Sequence, residues 1–292
     1  MVISQTRRGF VFGALSLLAA PRLHAGEPRR LVTLEWLATE IALLLGERPV
    51  GVADLDGYRR WVSIENDGLV DAIDVGGRQQ PSMEALTRLR PNLILSSALR
   101  HRVLEQQLSE IAPTRLLDDQ PQDGDLLAAV YTATKAAGEA LGRSEAANRL
   151  LADFDTKLAD IAANITDSKL GGQPVLIAQP LPGVPRLRIF TSNSAVMQMF
   201  VRAGFAAALD LPAEPFGFST IGLEGLAALD GKSKLILLAD EAPVELENSA
   251  LWPMLPVVAS GGMVPVGLPS WPFGGPASLL GLATNAIAKM RA

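Results

Sequence analysis

Cysteine is absent from this 292-residue chain, and that one absence removes several classes of function. No disulfide can staple the fold, even in a compartment that permits one. No thiolate can bind a metal or act as a nucleophile, and no cysteine follows the N-terminal apolar run to carry a lipid anchor. Histidine is nearly as scarce, with only His24 and His101. A transition-metal site made of side chains draws on several Cys, His or carboxylate ligands, so a lone His101 reads as a surface residue. No apolar run reaches the roughly 20 residues needed to cross a bilayer. Catalytic signatures are missing as well. There is no G-x-S-x-G nucleophile turn and no G-x-G-x-x-G dinucleotide loop. Gly231-Lys232-Ser233 looks like the end of a phosphate-binding loop, but Leu226 stands where its first glycine belongs, and the tripeptide precedes a strand; it reads as a turn. Carboxylates are plentiful without any pair being marked out. These absences favour a binding protein over an enzyme.

What is present begins with a leader. Thr6-Arg7-Arg8-Gly9-Phe10 sets paired arginines before an apolar stretch over residues 10–20, followed by Pro21 and Ala25. A basic region, an apolar region and a small residue in that order form an export signal. The arginine pair close to Phe10 is similar to the twin-arginine signal. Residues 1–25 are therefore expected to be a twin-arginine signal peptide cleaved after Ala25. Losing Arg7, Arg8 and Arg22 moves the net charge from −5 to −8, which argues against nucleic acid and anionic membranes as partners. An unanchored exported binder is retained only where a second membrane encloses it, so the expected location is the periplasm.

The remaining chain alternates short β-rich runs with helical patterns, the mark of α/β layers around parallel strands. Leu31-Val32-Thr33-Leu34, Val50-Gly51-Val52-Ala53, Ala72-Ile73-Asp74-Val75, Leu93-Ile94-Leu95 and Arg115-Leu116-Leu117 read as strands, with helices over residues 36–45, 83–89 and 103–111. The middle changes character. Residues 143–165 repeat apolar positions every three or four residues without proline or glycine, as a long amphipathic helix does. A second series follows, with strands Val175-Leu176-Ile177-Ala178, Arg188-Ile189-Phe190 and Leu235-Ile236-Leu237-Leu238 and helices over residues 195–203 and 276–291. The expected organisation is an α/β lobe over residues 26–142, a linking helix over 143–167, and a second α/β lobe over 168–292. Each lobe carries E-x-L-x-x-L before a buried strand, starting at Glu84 in one and Glu224 in the other.

Five stretches carry a resemblance. Arg30-Leu31-Val32-Thr33-Leu34-Glu35-Trp36-Leu37, and Gly51-Val52-Ala53-Asp54 through Tyr58-Arg59-Arg60-Trp61-Val62, are similar to the opening of the periplasmic ferric hydroxamate-binding proteins, the ferrichrome binders. Asp74-Val75-Gly76-Gly77-Arg78 with Pro81-Ser82-Met83-Glu84, Leu251-Trp252-Pro253-Met254-Leu255-Pro256, and Trp271-Pro272-Phe273-Gly274 match later blocks, some shared with other siderophore and vitamin B12 binders. The resemblance implies a class III periplasmic binding protein: two α/β lobes joined by a long rigid helix, with the ligand cleft between them. It implies capture of a ferric siderophore, hydroxamate type favoured, for the inner-membrane permease of an ABC importer. Iron(III) then arrives only as a siderophore complex, its coordination filled by ligand oxygens, and the protein holds no cofactor or metal of its own. The chain is expected to act as a monomer.

The resemblance also assigns residues. Trp61 and Trp271 are expected to line the cleft, with Trp36 at or near its floor and Trp252 in the core. Arg78 matches the arginine that hydrogen-bonds the iron-ligating oxygens, a role that suits its fixed fork of donors. Phe216 and Phe218 compete for one cleft position from the second lobe, and Phe273 follows Trp271. Where the family has a tryptophan and then a tyrosine hydroxyl near the iron centre, this chain has Ser96 and Arg100, so the cleft loses aromatic area and gains charge at Arg100. That departure favours a more anionic cargo. Glu84 and Glu224 match the acidic pair that docks permease arginines. Other iron chelates, haem and cobalamin stay open as cargo, and an exported siderophore-modifying enzyme or a ligand-presenting sensor stays open as a different role.

Overall fold

The structure, a computed structural model, describes residues 29–121 and 124–291. The leader expected over residues 1–25 lies outside the described residues. The first sheet has five strands, β1 (Leu31–Thr33), β2 (Gly51–Val52), β3 (Ile73–Asp74), β4 (Leu93–Ser97) and β5 (Thr114–Leu117). Their order is β3-β2-β1-β4-β5 and every pair is parallel, with Val32 opposite Gly51 on one side and Ile94 on the other. Parallel strands are covered on both faces, which is why Leu93-Ile94-Leu95 reads as a continuous apolar run. The cover comes from α1 (Trp36–Leu44), α2 (Leu55–Trp61), α3 (Met83–Leu89), α4 (Ala98–His101) and α5 (Glu105–Ile111). The helix expected over residues 103–111 opens instead with a 3-10 turn, Arg102–Leu104, in which Val103 is fully in solvent.

Two helices then run from one lobe to the other. In α6 (Leu126–Ala140), Leu127 and Val130 join the second lobe's core while Ala133 and Ala137 join the first's. The partition repeats in α7 (Ser144–Thr166): Ala147 packs in the first core, and Phe154, Leu158 and Ile165 pack in the second. Its 23 residues make a strut about 34 Å long. Where the pair meets the first core it presents the small Ala133, Ala137 and Ala147, and where it meets the second it presents the larger Leu127, Val130, Phe154 and Leu158.

The second sheet contains β6 (Pro174–Pro180), β7 (Arg186–Phe190), β8 (Ala206–Ala207), β9 (Phe218–Gly222), β10 (Lys234–Leu237) and β11 (Met263–Pro265). Its order is β11-β10-β6-β7-β9, with β8 alongside the start of β6. Strands β6, β10 and β11 are parallel, whereas β7 runs antiparallel to both β6 and β9. Helices α8 (Ala195–Arg202), α9 (Val244–Glu247), α10 (Pro256–Ala259) and α11 (Pro276–Arg291) complete this lobe, and Trp252 is buried in its core.

One polar contact joins the lobes through the interior. Glu40 on α1 is fully buried, and its carboxylate accepts from the backbone N–H of Gly275 at 2.8 Å, of Ala277 at 3.0 Å and of Ser278 at 3.0 Å, and from Ser278 Oγ at 2.5 Å. These N–H groups are the unpaired donors at the start of α11, where the helix dipole also favours an anion. Burial pushes the Glu40 carboxyl above the usual carboxylate range, and the donors on Ser278, Gly275 and Ala277 pull it back. A Cβ on Gly275 would stand 2.9 Å from Glu40 Oε1, so only glycine allows this approach. Replacing Glu40 with alanine strands several buried donors at once. A loss of about 3 kcal/mol of unfolding free energy is expected, measured by urea denaturation; a loss within about 0.5 kcal/mol, the usual range for surface changes, would assign the contact no structural weight.

Candidate functional site

Four strand ends of the first sheet deliver charged side chains to one place. Glu35 follows β1, Arg78 follows β3, Arg100 follows β4 and Asp119 follows β5, and all four line a cleft of about 660 Å³. The opposite wall comes from the second lobe: Arg188 on β7, Phe216 and Phe218 at the start of β9, and Trp271 and Phe273 between β11 and α11. The carboxyl ends of parallel strands, where loops converge, are the usual ligand position in α/β folds.

Local geometry explains how each group gets there. Gly76 has φ +94° and turns the chain out of β3, and a Cβ there would meet the Ser82 nitrogen at 3.1 Å. The turn is held by Asp74 Oδ1, which accepts from Gly76 N at 2.7 Å, and by Asp54 N, which donates to Gly76 O at 2.7 Å. Arg78 is thereby laid back over the first turn of α1. Its guanidinium carbon lies 3.6 Å from the Trp36 ring centroid and 5.2 Å from that of Trp271. Arg78 Nη1 donates to Glu35 Oε1 at 2.8 Å, and Nε faces Asp54 Oδ2 at 3.5 Å. Arg100 pairs with the other Glu35 oxygen through its Nε. Glu35 thus holds two arginines while its Oε1 also caps α1 at Trp36 N.

The aromatic residues form one connected set. Trp36 is buried, donates its Nε1 to Asp54 O at 3.1 Å, and meets Trp271 edge-on at 4.6 Å between centroids. It lies beneath Arg78, supporting the cleft rather than lining it. Trp61 is half-buried at 6.4 Å from Trp271 and stands outside the cleft lining. Trp271 continues to Phe273 at 5.3 Å, Phe273 to Phe218 at 5.8 Å, and Phe218 to Phe216 at 6.2 Å. Both Phe216 and Phe218 line the cleft, Phe216 half in solvent and Phe218 packed against Phe273. Of the residues that the sequence proposed for the ligand, Arg78, Arg100, Phe216, Phe218, Trp271 and Phe273 share one cavity. Glu84 and Glu224 are exposed and away from it.

Several members had no assignment in the sequence. Glu35 appeared only as part of a matching block. Asp119 accepts from Ser97 Oγ and from Leu99 N at 3.1 Å, and burial pushes its carboxyl above the usual carboxylate range against those bonds. Gln120 Nε2 donates to Pro215 O at 2.5 Å, clasping the two walls beside Phe216. Arg188 donates from Nη1 to Gln179 Oε1 at 2.8 Å and rests 4.3 Å from the Phe218 ring centroid. A signal for Arg188 was available, since a charged residue inside Leu187-Arg188-Ile189 is unusual for a buried strand. Among the described residues, no group of three or more His, Cys, Asp or Glu side chains could hold a metal ion, and no helix is long and apolar enough to cross a membrane.

His101 corrects an expectation. It is fully buried, not a surface residue, and its Nδ1 shares a 2.5 Å hydrogen bond with Ser96 Oγ, itself fully buried. The reason is local: Ser97 caps α4, and that short turn rotates His101 inward while Arg100 faces the cleft. Ser96 therefore supports the cleft from behind and does not present a surface to a ligand. Burial lowers the His101 pKa below its ordinary 6.5, with Arg100 adding to the effect and Glu35 opposing it. The folded protein keeps the imidazole neutral where the unfolded chain takes up a proton. Stability from this group is full above about pH 6.5 and falls as the pH drops towards the lower folded value. In His101→Gln, the fall in unfolding free energy between about pH 6.5 and 5 is expected to be shallower. Urea unfolding across that range checks it, and equal slopes in both proteins would assign the fall to carboxylates.

Comparison with known proteins places this geometry in context. A family profile described as "Periplasmic binding protein" matches residues 31–256. The iron(3+)-hydroxamate-binding protein FhuD of Escherichia coli (strain K12) is 30% identical over 239 residues, covering 80% of this chain and 78% of that protein. The Fe(3+)-citrate-binding protein YfmC of Bacillus subtilis (strain 168) is 26% identical over 250 residues, covering 85% and 76%. The solved structure of the Vibrio cholerae siderophore-binding protein FhuD, bound to Fe3+-Desferal, matches with a TM-score of 0.79 at 24% identity over 89% of this chain and 97% of that one. That structural likeness speaks for the fold.

Proposed function

Because the chain belongs to the periplasmic binding protein family, we propose that it captures a ferric siderophore, of the hydroxamate type, and delivers it to the permease of an ABC importer. The observation that carries the reading is Arg78, held 3.6 Å above Trp36 and open to a cleft walled by Trp271, Phe273 and Phe218. A ferric hydroxamate has its iron coordination filled by its own oxygens, which keep partial negative charge. A guanidinium offers them charge-assisted hydrogen bonds. The amphipathic frame of such a chelate takes broad aromatic surfaces. The relatives are described as binders of ferric hydroxamate and ferric citrate, which supports an iron chelate as cargo.

The same role gives the rest of the chain its tasks. Residues 1–25 export the chain to the periplasm by the twin-arginine route, residues 26–142 and 168–292 act as the two ligand-gripping lobes around the linking helix, and the protein works as a monomer without turning its cargo over. Glu84 is on α3, whose start is capped by Ser82 Oγ accepting from Ala85 N, and Glu224 is in the first turn of the 3-10 helix Leu223–Ala228 of the other lobe. One exposed carboxylate at an equivalent place on each lobe suits a pair of arginines on a permease.

Two measurements test the reading. Titrating a ferric trihydroxamate is expected to quench tryptophan emission at one-to-one stoichiometry, with Trp271→Ala weakening the affinity about tenfold. Chemical turnover of the complex without stoichiometric binding would favour the exported enzyme instead. Replacing Glu84 and Glu224 together with alanine is expected to abolish cellular uptake while ligand affinity in vitro stays at the parent value; undiminished uptake would remove the docking role.

A further inference from the structure

The two walls of the cleft treat their cations differently. On the first wall, Glu35 and Asp54 supply carboxylates to Arg78, and Glu35 also pairs with Arg100. On the second, Arg188 has no carboxylate within ion-pair distance among the described residues. Its side chain's only hydrogen bond there is Nη1 to the Gln179 amide oxygen, and its Nε is buried without an acceptor. The guanidinium is stacked 4.3 Å from the centroid of Phe218 and 5.7 Å from that of Phe273. Those ring faces fix its plane and lower the dielectric around it. Burial pulls its pKa below the ordinary value, yet a guanidinium keeps its proton at neutral pH. A lasting charge is thus held on an apolar wall with no carboxylate to answer it, which costs free energy until an anion reaches its outer nitrogens.

The strand pattern shows that this is a placed residue. Along Arg186-Leu187-Arg188-Ile189, Leu187 and Ile189 are fully buried in the core under the sheet, and the arginines take the other face. Arg186 is exposed, whereas Arg188 is drawn into the cleft by Phe218 and Phe273.

We infer that Arg188 is a seat for an anionic group of the cargo lying outside its iron centre, so that the preferred ligand is a ferric chelate bearing a free carboxylate. The inference rests on the siderophore reading above and moves the anion selectivity expected at Arg100 to the opposite wall. Iron-ligating oxygens meet Arg78 and Arg100, whose charge Glu35 already shares. The peripheral carboxylate meets Arg188, where planar donors suit a two-oxygen acceptor.

Ferric desferrioxamine B supplies a clean probe, because its free amine can be left cationic, acetylated to neutral or succinylated to an anion around one iron centre. Tryptophan quenching with the purified protein is expected to show the succinylated complex binding about tenfold tighter than the acetylated one, with the cationic complex weakest. Arg188→Gln should bring the succinyl-to-acetyl ratio close to one, and Arg188→Lys should keep part of it. Equal affinities in the parent protein, or a ratio that survives Arg188→Gln, would overturn the inference. If Arg188→Gln fails to fold, the parent protein decides by salt: a preference that does not shrink as ionic strength rises is not a charge effect and overturns it too. Binding of all three complexes alike removes the Arg188 seat alone, whereas failure of all three to bind removes the siderophore reading and the seat with it.

Discussion

Between the lobes, out of reach of water, the carboxylate of Glu40 takes four hydrogen bonds from the first turn of α11 and the residue before it. The geometry of the cleft descends from this contact. Helix α1 begins one residue after Glu35 and carries Trp36 at its first position, so fixing α1 fixes the anion that holds Arg78 and Arg100 and the ring beneath Arg78. On the other side, Trp271 and Phe273 occupy the few residues immediately before α11. Anchoring that helix start sets where the aromatic wall stands. Trp271 packs edge-on to Trp36 at 4.6 Å, a second, apolar tie at the same seam. Together a buried carboxylate and an aromatic contact align the two lobes at this seam.

The crossing helices make that alignment durable. Because α6 and α7 each contribute side chains to both cores, hinge motion would have to pull Phe154 and Leu158, or Ala133 and Ala137, out of close packing. Interiors at this density resist such displacement. The cleft is therefore largely formed before cargo arrives, and affinity depends on complementarity of an existing surface with little ordering cost. The Gln120–Pro215 clasp beside Phe216 is a smaller element at the rim, where one hydrogen bond between loops leaves room for local adjustment.

How much of this was legible in the sequence depends on whether the signal was local. The first sheet's strands, β6, β7, β10, the long helix and the blocks around Arg78 and Trp271 are contiguous patterns, so periodicity and resemblance located them, whereas β8, β9 and β11 carried no such run. Glu40 was not legible, because its partner Gly275 lies 235 residues further along the chain and a glutamate in an apolar helix looks like a solvated charge. His101 misled for a related reason. Flanked by Arg100 and Arg102, it reads as exposed, and only the capped turn of α4 shows that successive residues point to opposite sides. Arg188 is ambiguous on its own strand: alternation puts it on the same face as Arg186, and only Phe218 and Phe273, brought in from elsewhere, separate a cleft residue from a solvated one.

The arrangement of charge completes the physical picture. Burying a carboxylate with two arginines is weak evidence of stability, since desolvation consumes much of the Coulomb gain. Its value lies in orientation. Glu35 keeps two guanidiniums in place and partly neutralised before any ligand is present, so a ligand oxygen at Arg78 or Arg100 shares a donor that is already aimed. What such a site gains on binding is the difference between two hydrogen-bonded states, and that difference is small for each contact. The aromatic surfaces then carry most of the burial, with Trp271 tilted against Phe273 and Phe273 edge-on to Phe218. Arg188 stands apart, since no carboxylate among the described residues answers its charge as Glu35 answers the others. A cleft built this way reads shape and apolar area first and total charge last.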